Sequence, residues 1–233
     1  MRIRVVASDF DDTLAREGQI DPAALDRIRG ARSTGLRVVI VTGRRMSELL
    51  EVFAEIDEVD FVVAENGGYA YSPQTGSGWR LAEPVSESLV AALASRGVTP
   101  LQLGETIIGT LAPWLDVVND VVAEHPSDYA VIRNRESLML LSRGVDKGSG
   151  LAAALTHLGF ARAEAVAIGD AENDITFLAA AGLGVAVGDA VQGLKDQADL
   201  VTAEPGPQGF VQLMDLLADR AWSRDPEGRA RAS

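Results

Sequence analysis

The sequence predicts an α/β fold: a doubly wound, mainly parallel, Rossmann-like sheet core with a small α+β cap domain inserted into it. Two observations predict the core. Short β-branched runs alternate with helical patterns along most of the chain, and those runs are nearly continuous in apolar character, as parallel strands covered on both faces must be. A third observation predicts the cap: the alternation breaks in the middle, where a helix followed by two strand-like runs occurs twice.

The first strand is read at 3–8 (IRVVAS). A helix follows from Asp21-Pro22, an N-cap with proline at the first helical position, and stops before Gly35. Strands at 37–42 (RVVIVT) and 61–65 (FVVAE) flank a helix near 45–56. The stretch 72–78 (SPQTGSG) is a loop by composition. The inserted part then gives helix 86–96, runs 99–103 (TPLQL) and 106–111 (TIIGTL), helix 114–125, and runs 129–133 (YAVIR) and 137–142 (SLMLLS). Beyond it come helix 147–158, strand 165–170, helix 172–181, strands 184–188 and 200–203, and helix 207–219 with one apolar stripe. The expected division is 1–76 with 146–222 as catalytic core, 77–145 as cap, and 223–233 as a polar, frayed tail.

Composition narrows the function. The 233-residue chain is long enough for a real core, and 47% apolar residues place it among globular proteins. Lys and Arg number 21 against 34 Asp and Glu, a net charge of −13, which disfavours nucleic acid and anionic membrane as partners. No cysteine is present, so disulfides, zinc-thiolate sites and a cysteine nucleophile are excluded. The two histidines, His125 and His157, stand at helix ends and are read as non-catalytic. The acidic start is no signal peptide and no apolar run is long enough to span a membrane, so the expected location is cytoplasmic, with the chain a monomer or homodimer.

The chemistry concentrates in four places. DFDDTL puts Asp9 and Asp11 at the carboxyl end of the first strand, where open α/β sheets bind ligands; two apart on a strand, both should face the same way. GDAEND puts Asp170 and Asp174 at the same end of a later strand. Four carboxylates at one rim repel, and a divalent cation would relieve this; oxygen-only donors point to Mg²⁺, held by Asp9, Asp11, Asp170 and Asp174. Acidic capping of a helix start is the plainer reading of GDAEND. An EF-hand fails, because position six is Ile175 and position twelve is Ala181. VTGRR places Thr42 and Gly43 at a strand-to-helix turn, a place for an anion. Lys147, in GVDKGSG, opens a helix against the macrodipole, which is costly for a purely structural lysine. The run GLGVAVG leads into a strand instead of following one, so it is not a dinucleotide loop.

DFDDTL, VTGR, the lysine and GDAEND, in that order, resemble the four motifs of the haloacid dehalogenase-like hydrolase superfamily, over about residues 5 to 205. The insertion between the threonine and lysine motifs, with AENGG at 64–68, is similar to the Cof-type branch of sugar phosphatases and phosphoglycolate phosphatases. The resemblance implies that Asp9 is a nucleophile forming an aspartyl-phosphate and Asp11 a general acid and base that also offers its backbone carbonyl to the metal. It implies that Asp170 ligates Mg²⁺ with Asp174 in support, and that Thr42 and Asn173 bind phosphate or its surroundings. Lys147 would neutralise Asp9 and the phosphoryl oxygens, and Gly43, Arg44 and Asn66 complete the phosphate site. The implied reaction is Mg²⁺-dependent hydrolysis of small phosphorylated metabolites, sugar phosphates or phosphoglycolate-like. A phosphomutase of the phosphomannomutase type, a receiver domain and a non-enzymatic phosphate- or metal-binding module are the alternatives. In the cap, whose sheet should lie over the Asp9 rim, Glu105, Thr106, Thr110, Arg133 and Arg135 are the polar candidates for substrate contact, with hinges near 73–78 and 143–146.

Overall fold

The computed structural model describes residues 2–125, 129–134, 136–219, 222–224 and 230–232. In chain order the elements are β1 (Val5–Ser8), a small hairpin of β2 (Ala15–Arg16) and β3 (Gln19–Ile20), α1 (Pro22–Ser33), β4 (Arg37–Val41), α2 (Met46–Val52), β5 (Phe61–Ala64), β6 (Tyr69–Ser72) and β7 (Ser77–Arg80). Then come α3 (Glu87–Ser95), β8 (Gln102–Leu103), β9 (Ile107–Leu111), α4 (Leu115–Glu124), β10 (Tyr129–Asn134) and β11 (Ser137–Ser142). The chain returns through α5 (Lys147–Leu158), β12 (Ala165–Gly169), α6 (Ile175–Ala180), β13 (Leu183–Ala186), α7 (Gln192–Lys195), β14 (Leu200–Val201) and α8 (Gly206–Ala218). At the end β15 (Trp222–Arg224) pairs antiparallel with β16 (Ala230–Ala232); the rest of the tail lies outside the described residues.

One sheet has the strand order β14-β13-β12-β1-β4-β5-β6-β7. From β14 to β5 every pairing is parallel; β6 and β7 add an antiparallel edge. The predicted doubly wound sheet is therefore present. Its strands are buried at every position of β1, β5, β12 and β13, because helices cover the sheet: α1 packs against α8, and α5 against α6. Asp21 caps α1 as its sequence implies, its Oδ1 accepting from the backbone N–H of Ala23 and Ala24 at 2.8 and 3.1 Å. Among the described residues no helix is long and apolar enough to cross a membrane.

The second sheet runs β10-β11-β9-β8, all antiparallel. Strand alternation sorts its side chains. Ile108, Leu138 and Leu140 join Leu89 and Leu93 of α3 and Val118 and Val121 of α4 in a separate core, so the helices lie on that face. Ile107, Met139 and Leu141 form the opposite face, towards the large sheet.

Four expectations need correction. Residues 77–80 belong to the large sheet, because β7 pairs with β6 from Tyr69↔Arg80 to Ser72↔Ser77. The small layer thus starts beyond Arg80, not at 77, and the loop at 73–76 is a hairpin turn within the large sheet, not a hinge. The helix expected at 45–56 ends at Val52, because Phe53 leaves helical geometry to bury its ring beside Phe10, 5.7 Å between centroids. The helix expected at 172–181 is shorter, α6 following a tighter turn over Glu172–Asp174.

The start of α5 sits hard against the large sheet. A Cβ on Gly150 would stand 2.6 Å from Val63 Cγ1 and 2.7 Å from Gly67 Cα, and one on Gly67, at φ +109°, would stand 2.0 Å from the Asp146 carbonyl oxygen. Gly30, inside α1, has nothing within 4 Å of such a Cβ. Gly150→Ala should therefore destabilise the protein by about 1–3 kcal/mol through overpacking. Gly30→Ala should stabilise it by about 0.5–1 kcal/mol through helix propensity. Urea unfolding of both variants checks this, and a neutral Gly150→Ala would contradict the close approach.

Candidate active site

Strand β1 stops at Ser8, and Asp9 follows with its backbone N–H donating to the Ile168 carbonyl at 3.0 Å. Asp9 is buried. β12 ends beside it at Gly169, which delivers Asp170; the turn that follows delivers Asp174. Carboxylate oxygens of Asp9, Asp170 and Asp174 lie within 4.8 Å of one another, all three side chains buried. Lys147, the first residue of α5, reaches between them. Its Nζ stands 2.8 Å from Asp9 Oδ1 and donates to Asp174 Oδ1 at 2.6 Å.

The electrostatics follow from burial. Burial pushes the Asp9 carboxyl well above its ordinary range; Lys147 opposes the shift, and Asp174 and Asp170 reinforce it. For Lys147 burial acts the other way, to lower the ammonium, but Asp174 and Asp9 outweigh it and hold the charge above the ordinary lysine range. Asp174 Oδ2 accepts from the backbone N–H of Asp170 and Ala171 at 2.9 and 3.0 Å. The capping reading of GDAEND is thus realised by Asp174, alongside the ion pair. Thr13 Oγ1 donates to Asp170 Oδ1 at 3.3 Å.

Three carboxylates against one ammonium leave the cluster with surplus negative charge and hard oxygen donors, which fits a divalent cation. Asp174 already has both oxygens hydrogen-bonded, so it serves best to orient the others. The fourth expected carboxylate is not in the cluster. β1 ends at Ser8, and Asp11 lines the same cavity as Asp9 with its carboxylate outside the cluster. Arg44 holds Asp11 bidentately instead, Nε to Oδ2 at 2.7 Å and Nη2 to Oδ1 at 2.6 Å.

Thr42 and Gly43 follow β4 as expected. The Thr42 hydroxyl is buried and accepts the Arg44 N–H at 3.2 Å, and the Thr42 carbonyl accepts the Asn66 N–H at 2.9 Å. Asn66 Oδ1 accepts from Asn173 Nδ2 at 3.2 Å, while Asn66 Nδ2 and Asn173 Oδ1 are buried without a partner. Glu65 and Asn66 both have φ +54°, a strained conformation for non-glycine residues, costing about 1–3 kcal/mol each.

Above these groups lies a cavity of about 280 Å³, lined from the large sheet by Asp9, Asp11, Gly43, Arg44, Arg45, Glu48 and Lys147. The small sheet contributes Gln102, Gly109, Asn134, Ser137 and Met139 among others, so one of its faces does lie over the Asp9 rim. Of the candidates there, Thr110 borders the cavity. Glu105 instead pairs with Arg80, and Thr106 bonds to Glu65. Arg133, paired in register with Leu138, is exposed and does not border the cavity. Arg135 lies outside the described residues. Gln102, Asn134, Ser137 and Arg45 were not singled out from sequence. Asn134 Oδ1 and Arg45 Nε are buried without a partner.

A family model of haloacid dehalogenase-like hydrolases matches residues 6–95 and 112–214. A phosphoglycolate phosphatase of Methanothermobacter thermautotrophicus is 30% identical over 218 residues, covering 91% of this chain and 97% of that protein. A phosphoglycolate phosphatase of Natronomonas pharaonis is 30% identical over 225 residues, covering 92% and 97%. Among solved structures, a haloacid dehalogenase-like hydrolase from Bacteroides thetaiotaomicron superposes with a TM-score of 0.81 at 19% identity, covering 92% of this chain and 99% of that one. A HAD subclass IIB sugar phosphatase gives 0.76 at 19% identity, covering 92% and 99%. These two structures share the fold.

Lys147→Met should remove the ammonium that pairs with both Asp9 and Asp174 while keeping the side-chain volume. In the presence of EDTA it should destabilise the protein by about 3–5 kcal/mol, as loss of one member of a buried ion pair does. Denaturant unfolding measures it; a loss below about 1 kcal/mol would mean that the lysine does not hold the cluster together.

Proposed function

The chain belongs to the haloacid dehalogenase-like hydrolase family, and from that premise we propose that it is a Mg²⁺-dependent phosphatase of small phosphorylated metabolites that works through an aspartyl-phosphate. The observation that carries this reading is the buried Asp9, joined to Lys147 and facing a cavity of about 280 Å³ that also holds Asp11. Sugar phosphates and phosphoglycolate-like esters are the substrates that the relatives suggest.

Asp9 attacks phosphorus with a carboxylate oxygen; the acyl-phosphate bond forms as the bond to the leaving oxygen breaks. Asp11 gives that oxygen its proton, then takes one from the water that attacks phosphorus and releases Asp9. To do so Asp11 must leave Arg44, and phosphoryl oxygens entering beside Thr42 and Gly43 are the acceptors for which the guanidinium can exchange it. Lys147 holds Asp9 in place and offsets charge on the phosphoryl group, while Asn66 and Asn173, whose amides keep unpaired polar atoms, line its surroundings. Asp9 and Asp170 would hold Mg²⁺, with Asp174 orienting both through Lys147 and the Asp170 N–H. Bound there, the ion supplies the positive charge that keeps the carboxylates ionised and stabilises the phosphoryl oxygens. The small sheet layer acts as a cap over the leaving group, excluding bulk water while the phosphoryl group passes to Asp9.

Two measurements test the reading. Asp9→Asn should lower kcat for p-nitrophenyl phosphate by on the order of 10⁴-fold with the fold intact by circular dichroism; residual activity above about one hundredth would refute a nucleophilic Asp9. Millimolar Mg²⁺ should raise the melting temperature by on the order of 5 °C over EDTA, since it binds the folded cluster and not the unfolded chain. An unmoved transition would refute the cation site.

A further inference from the structure

Glu65 is a buried carboxylate that the phosphatase chemistry leaves unused. Only 1% of it is exposed, and its backbone is held at φ +54°. Its partners come from the small layer, across about forty residues of sequence. Oε1 accepts the Glu105 N–H at 2.9 Å, and Oε2 accepts the Thr106 N–H at 2.7 Å and the Thr106 hydroxyl at 2.9 Å. The loop is shaped to receive it: a Cβ on Gly104 would stand 2.6 Å from Glu65 Oε1. A second tie runs beside it, Arg45 Nη1 donating to the Leu103 carbonyl at 3.2 Å.

Both ties spring from the turns that build the phosphate site. Glu65 N–H donates to the Arg44 carbonyl at 2.9 Å, and the Asn66 N–H to the Thr42 carbonyl at 2.9 Å. The turn after β4 and the turn after β5 are therefore stitched together, and side chains from both reach the loop 103–106. That loop leads from β8, which carries Gln102, into β9, which carries Gly109, and both residues line the cavity.

We infer that Glu65 is a positioning residue: by binding Glu105 and Thr106 it docks the small sheet layer on the phosphate-site turns and so sets where that layer meets the leaving group. This rests on the phosphatase reading for its effect on turnover, but not for the contact. A charged acceptor with three donors is among the stronger hydrogen-bonded arrangements, and the strained backbone of Glu65 is what aims it at the layer.

The test compares wild type, Glu65→Gln and Thr106→Val. Amide hydrogen exchange of residues 103–106 reads the contact directly. Glu65→Gln should accelerate it by about tenfold or more, and Thr106→Val should shift it in the same direction, with exchange in β1 and β12 unchanged. In parallel, kcat and KM are measured on p-nitrophenyl phosphate, whose leaving group reaches the small layer, and on acetyl phosphate, whose leaving group is short. Glu65→Gln should lower kcat/KM on the former by about tenfold and on the latter by less than about threefold, because a loosened layer penalises only what it touches. Unchanged exchange at 103–106 in both variants overturns the proposal, as does an equal loss on both substrates. A wild type that hydrolyses neither compound would overturn the phosphatase reading instead, and exchange would still judge the contact. Should Glu65→Gln fail to fold, Thr106→Val, altered on the small-layer side alone, decides by the same exchange measurement.

Discussion

The ammonium of Lys147, buried between Asp9 and Asp174, is the interaction on which the arrangement of this molecule depends. A lysine at the first position of a helix opposes the macrodipole, and a buried one loses its hydration as well. Only carboxylates can offset both costs, and they must be brought from strands at the centre of the sheet. That requires α5 to begin against the sheet. Asp146 fixes where the helix starts, its carboxylate accepting the Ser149 N–H at 2.8 Å. The absence of side chains at Gly67 and Gly150 lets the helix come close enough for a lysine to span the gap. The acidic cluster and the lysine therefore need each other: without Lys147 the carboxylates repel, and without them the ammonium would not stay charged at that depth.

Much of this was legible because it lies on the most regular part of the chain. β1, β4, β5 and β12 are continuous apolar runs, and only a parallel sheet covered on both faces asks for such runs. The polar residues that end them, Asp9, Thr42, Glu65 and Asp170, fall on one rim as a consequence. Residues that the ordered motifs single out line or adjoin that rim. What was not legible lies where the chain departs from period two. Asp11 was placed beside Asp9 by a strand rule, but the strand had already ended, and the turn with Asp12 at φ +56° sends Asp11 to Arg44. The edge hairpin of β6 and β7 was lost because its composition is that of a loop.

The cap-side residues show a different limit. Polar residues of β10 and β11 could be found from the sequence, but their facing could not, since both faces of the small sheet are covered and both carry apolar residues. Once Leu138 and Leu140 are seen to pack on α3 and α4, alternation assigns Ser137 and Met139 to the cavity and register assigns Asn134 with them. Glu65 was overlooked for a related reason. In AENGG the asparagine and glycines carry the turn signal, and a glutamate beside them reads as surface. Its burial becomes visible only when the loop 103–106, distant in sequence, is laid over it.

Each cation lining the cavity is already engaged within the protein: Arg44 by Asp11, Arg45 by Glu48, and Lys147 by Asp9 and Asp174. A phosphate ester entering the cavity therefore gains charge contacts by exchange, not by filling an unclaimed positive site. Exchange carries information, because every carboxylate displaced is then freed for another role. Displacing Asp11 from Arg44 frees the group assigned to proton transfer. The turns that undergo this exchange are the ones to which Glu65 and Arg45 fasten the small layer. Phosphate recognition, proton transfer and placement of the layer over the leaving group therefore run through two adjacent turns, those after β4 and β5. A change at Arg44, which holds Asp11, should disturb the first two together, whereas a change at Glu65 or on the small sheet should touch only the last.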